Sequence, residues 1–299
     1  TLEKYLATYG EENQNAQSAR NNLALLHESQ GNFREAEPLY KQSLEVLTRL
    51  NGDDHTDTIA VKNNLAFLYM LMEDFDQAAP LFYEVSEQWK TIFGSEHQNT
   101  LKATNNLGRV YHKMARLQEA EQLISQTLST RQKVLGKEHL DSIRSMIDLG
   151  GVYLDEARLP EADELLTDAL ALSEKVLGAL HPYTFEALNK LASVKETANN
   201  LSAAVEIRDL GFERRTKFLD RMLWVTGENA REGYIRLHRP EFNDYISLMS
   251  KIDSPDRGQK IIDASIQRKG LLLKVTSEIQ QIATLSKDPA LQSIAAELE

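Results

Sequence analysis

The chain has 299 residues and, with 34 Lys plus Arg against 45 Asp plus Glu, a formal net charge of −11 at pH 7. That balance argues against a general nucleic-acid binder, which needs basic residues in excess to neutralise phosphates. The absence of Cys removes disulfides, thiolate zinc sites and cysteine nucleophiles from these residues. No apolar run approaches the roughly 18 residues of a membrane span, and no basic stretch followed by an apolar one opens the chain, so a soluble, cytoplasmic protein is expected.

The chain begins at Thr1 in the middle of a repeat and reads as a piece of a longer protein, with residues 1–15 the tail of a truncated unit. From there the segment NNLALLHESQGNFREAEPLYKQSL (residues 21–44) recurs as NNLAFLYMLMEDFDQAAPLFYEVS and as NNLGRVYHKMARLQEAEQLISQTL, each 42 residues on. Leu23, Leu65, Leu107, Leu149 and Leu191 hold one register through five copies without insertion. Ala36, Ala78, Ala120, Ala162 and Ala204 hold a second. Leu65, Ala66 and Tyr69, then Ala78, Leu81 and Phe82, have the spacing of apolar helix faces, so each copy is expected to be a helical hairpin. Gly52, Gly94, Gly136 and Gly178 fall between copies as helix ends, and Thr58, Thr100, Ser142 and Thr184 are expected to cap the helices that follow. Five hairpins are expected over residues 16–215.

The Leu-Ala/Gly-x-x-Tyr pattern followed by Ala resembles the tetratricopeptide repeat. The 42-residue period, the NNLA words and LG-x-x-HP-x-T, intact at residues 177–184, resemble its kinesin-light-chain subtype. The resemblance implies an all-α fold, a right-handed superhelix of hairpins, and a groove that binds peptides. His27 and Lys195 replace the aromatic of the pattern in the first and fifth copies, and Ile147-Asp148 replaces the Asn pair in the fourth.

Beyond Arg208 the period is lost, and residues 216–299 read as a helical connector interrupted at Pro240, with new helices starting at Ser254-Pro255 and Asp288-Pro289. The words IQRKGLLL and DPALQ resemble the helical start of bacterial CHAT proteins, caspase-like proteases that follow tetratricopeptide arrays. That chemistry requires a His and a Cys thiolate. With no Cys present, the dyad would lie past Glu299.

No enzyme signature occurs, and neither catalysis nor a cofactor is expected of these residues. His55, His97, His139 and His181 recur at 42-residue intervals, but each belongs to a separate copy, too far apart to share one zinc ion, and is read as a loop residue satisfied locally. The basic run Arg208, Arg214, Arg215, Lys217 and Arg221 is read as a helix face, and Trp89 and Trp224 as packing residues.

The informative constellation is the stripe opposite the packed face of each first helix. Successive copies present Ser18, Asn22, Leu25 and Ser29; Ala60, Asn64, Phe67 and Leu71; Lys102, Asn106, Arg109 and Lys113; Arg144, Asp148, Gly151 and Asp155; and Glu186, Lys190, Ser193 and Thr197. Asn22, Asn64 and Asn106 can hydrogen-bond a peptide backbone whatever its sequence. Leu25, Phe67 and Leu71 offer an apolar seat, while Lys102, Arg109, Lys113 and Arg144 offer partners for carboxylates. The expected ligand is a protein or peptide segment pairing an apolar anchor with acidic residues, or a downstream part of the same protein. Two alternatives stay open: the Asn ladder can bond neighbouring helices instead, and Phe67 can pack into the seam between copies.

Overall fold

The computed structural model describes residues 10–222, 239–252 and 260. Its helices are α1 (Gln14–Ser29), α2 (Phe33–Asn51), α3 (Thr56–Leu71), α4 (Phe75–Phe93), α5 (Gln98–Lys113), α6 (Leu117–Leu135), α7 (Leu140–Asp155), α8 (Leu159–Leu177), α9 (Pro182–Thr197), α10 (Leu201–Met222) and α11 (Arg239–Lys251), and no strand occurs among the described residues. The chain divides into two compact units at Arg158 and Leu159, in the turn of the fourth copy. In the first, α1 to α7 pack in succession, each helix against the next; in the second, α9 lies between α8 and α10, and α11 docks on α10.

The reason for hairpins lies in the small residues. Ala36, Ala78 and Ala120, together with Ala162 and Ala204 in the second unit, are wholly buried, which lets helix backbones approach closely. Ala24 and Ala66 are buried in the same way on the first helices, and in the third copy Gly108 takes over, because a Cβ there would lie 2.6 Å from Ile124 Cγ1. Tyr40, Phe82, Leu65, Leu68, Tyr69, Leu107 and Val110 then fill one apolar cluster running from the first copy into the third.

The loops between copies correct one expectation. Thr58, Thr100, Ser142 and Thr184 do not cap; their hydroxyls donate back to the carbonyls of Gly52, Gly94, Gly136 and Gly178 at 2.9, 2.9, 2.8 and 2.8 Å. The N-caps are His55, His97, His139 and His181, whose Nδ1 accepts the backbone N–H two residues on at 3.2, 3.2, 3.1 and 3.1 Å. Asn13 does the same in the first copy, accepting from the Asn15 N–H at 2.8 Å. The histidines are therefore satisfied within their own loops. Gly52, at φ 89°, turns the chain out of the preceding helix at an angle that a side chain would strain.

A His that caps through Nδ1 must be neutral at that nitrogen, since a protonated ring has no acceptor and places positive charge at the positive end of the helix. Burial lowers the pKa of His181 below the ordinary histidine value. The unfolded chain then takes up a proton that the folded chain refuses. This contribution to stability is complete above about pH 6.5 and is lost as the pH falls from there through the folded pKa. His181→Asn, the residue type of the first copy, retains the cap without the titration. Thermal melts from pH 7 to pH 5 are expected to show the wild type losing stability relative to His181→Asn, and parallel curves would refute the role of the imidazole.

In the second unit, α11 covers α10 through Phe212 stacked on Tyr245 at 5.7 Å, while the Tyr245 hydroxyl donates to Asp209 at 2.7 Å. Pro240 stands in the first turn of α11, where its missing N–H costs nothing. The helix starts expected at Ser254-Pro255 and Asp288-Pro289, the words IQRKGLLL and DPALQ, Trp224 and residues 1–9 lie outside the described residues.

Candidate peptide-binding face

In the first unit the first helices of successive copies are linked side by side by polar bonds between residues 43 apart. Gln14 donates to Asp57 at 2.7 Å, Asn64 to Asn21 at 3.1 Å and Asn105 to Asp148 at 2.7 Å, and His112 Nε2 meets Asp155 at 2.6 Å. The Asn pair thus has two uses. Its first member reaches across to the second member of the following copy, and where that bond forms the ladder holds neighbouring helices together.

The predicted stripe divides accordingly. Asn22, Leu25, Leu71, Lys102 and Lys113 are exposed, Leu25 at 38% and Leu71 at 39%. Lys102 and Lys113 enter no ion pair among the described residues. Asn64 is half-buried and spends its amide on Asn21; Asn106 is buried. Phe67 is half-buried and packs against the apolar cluster. Arg144 is half-buried and already engaged. Arg109 retains 27% exposure of its side chain and pairs with Asp148, Nε to Oδ1, at 3.4 Å.

Beside Leu71 the surface sinks into a depression of about 530 Å³ lined by Phe33, Leu71 and Met72 together with Arg34, Glu35 and Glu73. It forms where the turns of the first two hairpins meet, and periodicity within one helix cannot reveal it. The other unforeseen feature is a buried polar chain. Arg131, 2% exposed on α6, donates to the Ser145 hydroxyl at 2.7 Å; Ser145 donates to Asn105 Oδ1 at 2.7 Å; and Asn105 donates to Asp148. Two departures from the repeat carry its signal in the sequence: Asp148 stands where the first three copies have Asn, and Arg109 stands where the first two have Leu25 and Phe67.

Four members of the basic run in the second unit are spent locally. Arg208 is buried and donates to Glu196 at 2.9 and 3.0 Å, Arg214 pairs with Glu174, Lys217 with Glu213, and Arg215 lies 5.0 Å from the Phe185 ring centroid. Arg208 holds the register of Tyr40, and Glu196 that of Glu28, which accepts from the Tyr40 hydroxyl at 3.0 Å, so one slot is filled once by a Tyr–Glu hydrogen bond and once by an Arg–Glu ion pair. Trp89 is buried and stacks on Phe93.

Repeated helical hairpins with buried small residues at their crossings, and with first helices aligned edge to edge, define a helical-repeat interaction protein. Models of the tetratricopeptide repeat match residues 17–57, 57–133, 103–175 and 141–207, and the chain belongs to the tetratricopeptide repeat family. Among solved structures it is similar to a Podosopora anserina protein described as a kinesin light chain with nearly identical TPR-like repeats, at 25% identity, 67% of this chain, 95% of that chain and a TM-score of 0.58. It is also similar to BtubC (BKLC) from P. vanneervenii, at 20% identity, 73% and 86% coverage and a TM-score of 0.59. A third is a Rap protein complexed with Competence and Sporulation Factor, at 13% identity, 93% and 79% coverage and a TM-score of 0.60. A search among curated proteins gives no match. The fold is that of a protein–protein interaction module, and no helix among the described residues is long and apolar enough to cross a membrane.

Proposed function

We propose that the face built by α1, α3, α5 and α7 receives an extended peptide or protein segment that combines an apolar anchor with acidic residues. One observation carries this reading: exposed Leu25 and Leu71, the latter lining the depression, lie on the same stripe as exposed Lys102 and Lys113, which have no anionic partner among the described residues. Apolar side chains left in water beside uncompensated cations are useful to a ligand carrying the complementary groups. The Rap structure supports the reading in kind, since its helical array is complexed with a separate factor.

Calorimetric titration with synthetic ten-residue peptides, one Leu or Phe flanked by Asp, provides the test. Lys102→Glu combined with Lys113→Glu is expected to weaken binding by about 1–3 kcal/mol through lost charged hydrogen bonds and added repulsion. The melting temperature should hold, because both side chains are exposed. Unchanged affinity, or no binding by the wild type, refutes the reading.

A second reading rests on residues 266–273 and 288–292, whose resemblance to the start of CHAT proteins suggests that this array regulates a caspase-like cysteine protease encoded downstream. Labelling of the full-length protein by a thiol-alkylating probe, together with proteolytic activity, is its expected result. A full-length protein lacking a reactive Cys would end it.

A further inference from the structure

The fourth copy breaks the Asn ladder in one atom. Where Asn22, Asn64 and Asn106 carry an amide, Asp148 carries a second oxygen, and this group lies on the proposed binding face with its side chain 8% exposed. The carboxylate is held on both sides. Oδ2 accepts from Asn105, at the end of the chain of bonds that leads back through Ser145 to the buried guanidinium of Arg131. Oδ1 faces Arg109 Nε at 3.4 Å, and the far end of that guanidinium reaches towards Asn106 Oδ1 at 3.5 Å.

We propose that Asp148 is a specificity-determining residue: an anion supplied by the protein that occupies the seat beside Arg109 and raises the threshold for an acidic ligand side chain there. The inference rests on the peptide-binding reading above. A ligand carboxylate arriving at Arg109 must displace Asp148, which leaves a buried charge without its partner, or else sit beside it, which places two carboxylates on one cation. Either course disfavours acid at this position, so acidic residues of a ligand are directed to Lys102 and Lys113. Arg109 then serves mainly to compensate Asp148 and acts as a positioning group, even though a list of cations on the face would count it with the other two.

The test is a double-mutant cycle, read by calorimetry at physiological salt with ten-residue peptides carrying one Leu and two Asp, and with their Asn counterparts. Asp148→Asn restores the residue of the first three copies. It is expected to bind the Asp peptides roughly tenfold more tightly, with the Asn peptides unchanged, because the guanidinium regains an open anion seat. In the Arg109→Gln background the same substitution is expected to give no gain. If Asp148→Asn lowers the melting temperature, Asp148→Ser, smaller and also neutral, gives the same readout. Wild-type binding with no gain on neutralising Asp148 overturns the inference and leaves the peptide-binding reading standing. A gain that persists without Arg109 overturns it as well, since general charge would then account for the effect. Absence of binding by wild type and variants alike overturns both.

Discussion

Phe82→Ala is expected to destabilise the first unit by about 3–5 kcal/mol, the cost of deleting a fully buried ring from a core that cannot collapse around the loss. Phe82 has no exposed surface and belongs to an apolar cluster that joins the first three copies, with Ala24, Ala36 and Tyr40 on one side and Leu107 and Val110 on the other. The small residues at the helix crossings already bring the backbones together, so neighbouring helices have little room to close further. In an array whose copies are stabilised by their neighbours, the loss falls on interfaces as well as on one hairpin. Chemical denaturation should therefore show an earlier midpoint and a broader or divided transition, as the first copies uncouple from those after them. A single transition shifted by less than about 1 kcal/mol would show that the cluster is less rigid than its packing indicates.

Arg131→Met is expected to cost about 2–4 kcal/mol, although it exchanges a charged residue for an apolar one of similar length in a buried place. The guanidinium donates to the Asp141 carbonyl at 3.1 Å and to the Ser145 hydroxyl at 2.7 Å, tying α6 to the start of α7. Met fills the volume and makes neither bond. It also leaves the buried Asp148 carboxylate dependent on Asn105 and on the partly exposed Arg109. The register supplies the contrast: Leu47 and Trp89 occupy the same place in the first two copies and are buried there. An apolar residue is thus acceptable at this position when its surroundings are apolar, and Arg131 is required by the polar chain it serves. Thermal and denaturant melts of Arg131→Met against Arg131→Met combined with Asp148→Asn check this. The second substitution should recover part of the loss, and a cost below about 0.5 kcal/mol for Arg131→Met alone would refute the account.

Much of the hairpin pattern was legible because it repeats. Leu23 to Leu191 and Ala36 to Ala204 hold one register, and a residue that must be small or apolar in five copies declares its place in the core. The capping residue was not legible in the same way. His55 and Thr58 stand three residues apart in one loop, local preference favours the Thr, and only the path of the chain after Gly52 shows that the hydroxyl turns back to the glycine carbonyl while the imidazole meets the helix. Helical spacing found the stripe from Asn22 to Arg144, but a wheel drawn on one helix does not say how far that helix is rolled against its neighbours. That roll makes Leu71 exposed and Phe67 half-buried, four residues away.

What the sequence by itself determined is the repeating unit: two helices, small residues at their crossing, a glycine turn and a stripe of Asn, apolar and basic side chains. Those features depend on contacts within about one copy, where spacing along the chain stands in for distance. Only the tertiary structure decided which members of the stripe remain available, because Asn64, Asn106 and Arg109 are engaged by residues of the same or an adjacent copy, and the depression at Leu71 opens where two turns 42 residues apart meet. Such relations depend on how one copy rotates on another. That rotation is set by summed packing across the interface, so no single segment of the chain displays it.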